Sequence, residues 1–294
     1  MTLNDVDKFI GQQAAVWPLV AQNYNALKNI EIRRFDFDGF TIVAQHNPAR
    51  ITSSGANVDS KAIAERPCFL CSKNRPKEQI AIDWSGYEIL VNPFPIFGRH
   101  LTIAKKEHVP QQLSQHACCE YVADMFRLAC ELNGMAVFYN GARCGASAPD
   151  HLHFQAGDAS KWPVFNDFKP TMQLKQYART EVSVCSTIGR KVIRIITDQS
   201  QAAQAEVREV LDSHNINDSM VNIVARQAGD GLVEFYVIPR RAFRPWQYSA
   251  AADEQLLISP ASVEVGGIFI VPQKKHFEKL QAADIEDILK QVCF

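Results

Sequence analysis

Five consecutive residues, His151-Leu152-His153-Phe154-Gln155, constrain this chain more than any other stretch. Apolar and polar side chains alternate with a period of two, and a β-strand is the element that sends successive residues to opposite faces. Leu152 and Phe154 then anchor the strand in a core, while His151, His153 and Gln155 share the other face. An ordinary wet strand face carries Lys, Thr or Glu. Two imidazoles and an amide make a reactive surface instead. Neutral imidazole is a competent nucleophile near pH 7, provided that its second nitrogen keeps a proton on a fixed acceptor. An amide donor suits phosphoryl oxygens on which charge develops. His153 is therefore the candidate nucleophile toward phosphorus, with Gln155 beside it.

The preceding loop, NGARCGASAPD, has a composition that fits an anion cradle. Gly141 and Gly145 permit close backbone approach and unusual dihedrals. Ser147 adds a hydroxyl, and successive backbone N–H groups can form a nest for phosphate. Arg143 is either a further charge there or a solvated loop residue. Cys144 sits inside the same loop.

Cys68 and Cys71, in RPCFLCSKNRP, have the spacing of a zinc knuckle, and no second Cys-x-x-Cys follows. The other ligands must come from elsewhere, and His108 and His151 are the best candidates, completing a closed Cys2His2 structural Zn2+ site. His100 is the rival to His108. Such a site ties an early loop to the start of the histidine strand and so pins His153 two residues on. A redox or packing pair is the alternative for the two cysteines. His46, His116, His214 and His276 have no convergent partner in the sequence.

Elsewhere, helical spacing runs through residues 10–28, and two strands, 30–36 and 40–45, meet at Asp38-Gly39, a strong hairpin signal. Residues 47–66 read as a loop. Strands are expected at Tyr87–Val91 and His100–Ala104, around the loop NPFPIFGR. A helix at 111–133, closed by Asn133-Gly134, and a strand at Met135–Tyr139 follow. Residues 158–175 read as a linker. Beyond it, strands are expected at 180–185, 191–197, 220–225, 232–238 and 263–271, with helices at 199–213 and 276–291. EFYVIPRRAFRP echoes HLTIAKKEHVP, and IFIVPQKKHFEKL echoes it again, a weak sign of duplication.

With 294 residues, 47% of them hydrophobic, the chain can bury a core without disulfides. A formal net charge of −1 argues against a nucleic-acid polymer as partner. It leaves room for small phosphorylated ligands, which need only a few local cations. Neither a basic-then-apolar leader nor an apolar run of roughly 18 residues is present, so signal peptide and membrane span are not expected. Eight dispersed cysteines fit reduced thiols and a cytoplasmic setting.

These motifs resemble the histidine-triad superfamily, in its galactose-1-phosphate uridylyltransferase and GDP-L-galactose phosphorylase branch. HLHFQ is similar to the His-x-His-x-Gln signature of that branch. NGARCGASAPDHLHFQ resembles its loop of Asn, Gly, Gly-x-Ser and Pro before the histidines, with Asp150 as one extra residue. LVNPFPIFGRHLTIAKKEH resembles the Asn-x-Phe-Pro segment and its following strand, CFLC the zinc knuckle, and QHNPAR an early Asn-Pro segment near phosphate-binding arginines. The specific motifs span roughly residues 44–156.

The resemblance implies an α+β fold of two histidine-triad-like halves, each an antiparallel sheet with packed helices. These are a catalytic half at 1–172, which carries the knuckle, and a second half at 173–294. It implies Cys68, Cys71, His108 and His151 as zinc ligands, and Asn92, Phe94, Arg50, Asn140 and Gly145 as substrate contacts. Catalysis falls to His153, Gln155 and Ser147. The activity implied is nucleotidyl transfer or phosphorolysis of a nucleoside diphosphate sugar or dinucleoside polyphosphate, through a nucleotidyl-histidine. Phosphate or a sugar phosphate would be the acceptor. Glutamine at the third triad position favours transfer over hydrolysis. A hydrolase, or a nucleotide-binding module without catalysis, are the alternatives. Lys105, Lys106, Arg240, Arg241 and Arg244 are further cations that could meet phosphate. Oligomeric state is open, a homodimer being one form.

Overall fold

The computed structural model describes residues 1–55, 58–113, 117–214, 216 and 219–294. Thirteen strands run through the described residues. They are β1 (Glu31–Phe37), β2 (Phe40–His46), β3 (Ala81–Trp84), β4 (Tyr87–Val91), β5 (His100–Lys105), β6 (Met135–Asn140) and β7 (His153–Asp158). After these come β8 (Met172–Tyr177), β9 (Thr180–Thr187), β10 (Arg190–Thr197), β11 (Val221–Gly229), β12 (Leu232–Pro239) and β13 (Ile268–Val271). Ten of them make one antiparallel sheet in the order β3-β4-β5-β7-β6-β11-β12-β10-β9-β8. A second sheet has the order β1-β2-β13, with β13 parallel to β2.

One element order occurs twice in the large sheet. Three meandering strands lead into a helix (Ala117–Glu131), then β6, and then β7, which inserts between β5 and β6. Likewise β8, β9 and β10 lead into the helix Ser200–Ser213, then β11, and then β12, which inserts between β10 and β11. The α+β class with antiparallel sheets and packed helices is thus borne out. The two five-stranded sets are joined edge to edge rather than separate, with Asn140 of β6 opposite Asn222 of β11. The sequence echo needs correction. It matches β12 with β5, whereas topology matches β12 with β7, and IFIVP is β13 of the other sheet.

Each face of the large sheet has its own core. Leu152, Phe154, Leu101, Ile103 and Val137 pack toward the N-terminal helix Leu3–Val16 and toward the helices at 117–131 and 200–213. Complete burial of Phe154 contributes roughly 2–3 kcal/mol. Phe138, Val224 and Ile238 on the opposite face pack against Ile42 and Phe269 of the small sheet and Ile288 of the C-terminal helix Ala282–Val292.

Local signals explain most element ends. A capping box of Thr2 and Asp5 opens the first helix. Pro18 divides the expected helix at 10–28, because extended Trp17 ends one helix and Pro18 starts the next, Pro18–Ala26. The Asp38-Gly39 hairpin is present, with Gly39 at φ +73°. Residues 111–113 are not helical, and the helix runs over Ala117–Glu131. Residues 114–116, His116 among them, lie outside the described ones.

Four expectations are corrected. Residues 51–54 and 60–65, read as loop, form short helices. The expected linker at 158–175 is core: Trp162 is fully buried, with Val164 and Phe165 beside it, and β8 begins at Met172. The expected strand at 263–271 is the short helix Ser262–Val265, a Gly-Gly turn and β13. The expected helix at 276–291 breaks at Leu280 into Lys274–Lys279 and Ala282–Val292. In the last two cases apolar content was read correctly and its period was not; in the first two, polar and Pro/Asp-rich composition hid short helices and a buried core segment.

Candidate active site and metal centre

Strand β7 starts at His153, not His151, and both imidazoles are buried. Leu152 and Phe154 point into the helix-covered core, and His153 and Gln155 face the other way. Across β5, Ala104 sits opposite His153 and Thr102 opposite Gln155.

The environment of His153 fixes its tautomer. Its Nδ1 lies 2.8 Å from the carbonyl oxygen of His151, so Nδ1 donates and Nε2 keeps its lone pair. Burial pushes the imidazolium pKa down to about 4, so the ring is neutral near pH 7. Its backbone is held by a residue that sequence reasoning did not single out. The Gln111 amide accepts from His153 N (2.7 Å) and donates to the carbonyls of His153 (3.0 Å) and Asn140 (2.9 Å). Pairing of β6 with β7 ends at Phe138–Gln155, and the fully buried Gln111 side chain bridges the strands where they part.

Gln155 is oriented just as firmly. The fully buried His100 accepts from Ile96 N at Nδ1 (3.0 Å), so its Nε2 carries the proton and donates to Gln155 Oε1 (2.9 Å). Burial lowers the His100 pKa to about 3, with Arg50 adding to the shift. Asn92 Nδ2 reaches the same oxygen at 3.4 Å and Thr102 Oγ1 at 3.0 Å. With Oε1 committed, the amide hydrogens of Gln155 are what it offers to a ligand. His100, the expected rival metal ligand, is thus occupied with this amide.

Half-buried Asn92 and Phe94 adjoin this network, Asn92 Oδ1 accepting from Phe94 N at 2.9 Å. Arg50 donates to the Phe94 carbonyl at 2.6 Å, while its buried Nε has no hydrogen-bond partner. Burial lowers the Arg50 pKa to about 10 and raises that of nearby Glu264 to about 7.

Asn140 is buried and accepts at Oδ1 from Asn222 (3.0 Å) and from Ser262 N (2.8 Å), so that oxygen is structurally committed. Gly145 has φ +115°, and a Cβ there would sit 2.3 Å from the Ala261 Cβ. Ser147 is half-buried in the same loop, and Arg143 is exposed. The Cys144 thiol is buried against the carbonyls of Val221 (3.2 Å) and Ser219 (3.4 Å), and burial raises its pKa to about 11. A thiol so placed is a packing group.

The other suggested cations are engaged away from His153. Lys105 pairs with Glu120 at 2.6 Å, and Lys106 with Asp83 at 2.9 Å. Arg240 is buried and donates to Asn222 Oδ1, Val292 O and Pro260 O. Arg241 stacks over Phe294, and Arg244 donates to Ser259 Oγ at 3.0 Å.

All four expected metal ligands converge. Ligand atoms of Cys68, Cys71, His108 and His151 lie within 4.8 Å of one another. His151 Nδ1 is 3.3 Å from the Cys68 sulfur and 3.5 Å from that of Cys71, and His108 Nδ1 is 3.3 Å from the latter. A tetrahedron with zinc–sulfur and zinc–nitrogen bonds of usual length has sulfur–nitrogen edges of about 3.5 Å. His151 Nε2 donates to the Lys105 carbonyl at 2.7 Å, which leaves Nδ1 free for a metal. The cluster could therefore hold a metal ion.

An α+β architecture of this kind occurs in solved phosphorylases. The crystal structure of yeast Ap4A phosphorylase Apa2 in complex with Ap4A matches over 95% of this chain and 97% of that one, with a TM-score of 0.59 and 15% identity. The same enzyme in complex with AMP matches over 94% and 95%, with a TM-score of 0.60 and 17% identity. At these identities the likeness establishes the fold. Residues 9–158 match the family described as domain of unknown function DUF4922, and the chain belongs to that family. No curated protein sequence matches it. Among the described residues no helix is long and apolar enough to cross a membrane.

Proposed function

We propose that this protein is a nucleotidyltransferase or phosphorylase acting on a dinucleoside polyphosphate or nucleoside diphosphate sugar through a nucleotidyl-His153 intermediate. One observation carries the reading: a neutral imidazole with its Nε2 lone pair free stands two residues along β7 from an amide whose oxygen is locked away. Nucleophile and donor are thus both pre-set on one face of β7. The fold shared with the Ap4A phosphorylase agrees with it and favours the dinucleoside polyphosphate.

Nε2 attacks the α-phosphorus, an N–P bond forms, and the P–O bond to the leaving group breaks. The leaving group departs as a nucleoside polyphosphate or sugar phosphate. Gln155 Nε2–H donates to a non-bridging oxygen as charge grows there. The acceptor, phosphate or a sugar phosphate, then attacks the same phosphorus, and the N–P electron pair returns to Nε2. Asn92 and Phe94 hold the nucleoside, Arg50 offers its unpartnered Nε–H to phosphate, and Asn140, Gly145 and Ser147 shape the loop opposite. His153 is only 4% exposed, so the surrounding loops must open to admit phosphorus.

Zn2+ at Cys68, Cys71, His108 and His151 would be structural, supplying a closed four-ligand clamp rather than an open coordination position. It would fix the chain two residues ahead of His153. We assign the chain to the uridylyltransferase-like branch, with its two halves meeting near residue 172.

Incubation with Ap4A or a nucleoside diphosphate sugar, with and without phosphate, tests the proposal by product analysis and intact mass. An adduct one nucleotide heavier that is lost in His153→Ala, and turnover that depends on phosphate or sugar phosphate, are expected. Turnover at an unchanged rate in His153→Ala would refute it.

A further inference from the structure

A large cavity lies on the outer face of the small sheet, away from His153. Its volume is about 1210 Å3, against roughly 300–1,000 Å3 for ordinary ligand sites. Val43 and Gln45 of β2 and Ile32 of β1 form one wall, and Tyr24 of the second helix and Leu27 just after it form another. Ile96 and Phe97 close it toward the active centre. Phe97 lies against Gly157, where any Cβ would approach its ring to 2.3 Å, and its ring centroid is 5.8 Å from that of His100. The Phe97 ring therefore stands between the cavity and the His100 ring.

Charge around the cavity is uneven. Its two acids are already engaged: Asp158 pairs with Arg99 at 3.0 Å, and Asp167 accepts from Thr41 N at 3.0 Å. Lys28, Arg34 and Lys161 stand exposed on its rim, and among the described residues none of them has an acidic partner. Asn25, Asn166 and Gln45 also line it, Gln45 with its amide held by Ile96 O (3.3 Å) and Asn47 Nδ2 (3.4 Å).

We propose that this cavity is a second ligand site, taking a small organic anion whose phosphate or carboxylate meets Lys28, Arg34 and Lys161 while its apolar body lies against Val43, Ile32 and Phe97. Three cations against two acids leave the lining with a positive excess that an anion offsets, and the apolar walls are relieved of water by its body. Such a ligand would rest on Phe97, whose ring touches both Gly157 of the catalytic strand and the ring that orients Gln155.

Calorimetric titration of the full chain with phenyl phosphate and with hexanoate, and with inorganic phosphate as the control lacking a body, tests this. Expected are one site for at least one body-bearing probe, weakening with salt, and none at this cavity for inorganic phosphate. Affinity should fall by about tenfold or more in the doubly substituted Arg34→Glu/Lys161→Glu protein, whose exposed sites spare the fold, and should be unchanged in His153→Ala. Val43→Trp should block binding by filling the space. No binding of either probe at millimolar concentration would overturn the proposal. So would undiminished affinity in the charge-reversed protein, or affinity that is lost in His153→Ala instead.

Discussion

Replacing Gln111 with leucine removes one side chain and orphans three buried backbone groups. His153 N loses its acceptor, and the carbonyls of His153 and Asn140 lose a shared donor. Leucine fills nearly the same space, so the loss comes from unmet hydrogen bonds rather than a cavity. An unsatisfied buried polar group costs roughly 1–3 kcal/mol, so three cost at least about 3 kcal/mol if water does not reach them. Gln111 is fully buried, which keeps water out. That is a large share of a usual total of about 5–15 kcal/mol. Urea denaturation followed by fluorescence should show the midpoint fall with little change in slope, and adduct formation at His153 should fall too. Gln111→Glu restores only an acceptor, so it should recover little. A loss below about 1 kcal/mol for the leucine variant would show that the strand junction does not depend on this amide.

Other consequences are open to direct measurement. Metal analysis of purified protein should find one zinc per chain, and Cys68→Ser or a chelator should lower both metal content and melting temperature; unchanged melting with no metal would remove the clamp. Gly145→Ala should destabilise by roughly 2 kcal/mol or more, from positive φ together with collision against Ala261, measured by thermal or urea unfolding. Glu264 has a folded pKa near 7, above its unfolded value, so the folded state holds its proton more tightly. Its contribution is present below about pH 4.5 and is lost as pH rises through 7, a swing of roughly 3 kcal/mol. The stability difference between Glu264→Gln and the unsubstituted protein should therefore move in the variant's favour over that window; a flat difference would place the carboxyl in water.

Legibility in the sequence followed the range of the interactions. Alternation placed Phe154 in the core and His153 and Gln155 on the opposite face, because strand geometry repeats every two residues. Asp38-Gly39 predicted its hairpin, and the Cys68–Cys71 spacing led to His108 and His151, which do converge. Residues 158–175 were misread because isolated prolines and aspartates look like linker until Trp162 is seen inside a core.

The sequence by itself determined the chemistry on offer: an imidazole, an amide, a glycine-bearing loop and four soft metal ligands at particular spacings. Tertiary structure alone decided how those groups are held. It gave Gln111 the backbone of His153, turned His100 from a rival metal ligand into the donor that orients Gln155, and merged two strand sets into one sheet across Asn140 and Asn222. The physical reason is separation along the chain. Gln111 and His100 act on partners 42 and 55 residues away, and no local periodicity or turn propensity reports a hydrogen bond set by the register of distant strands.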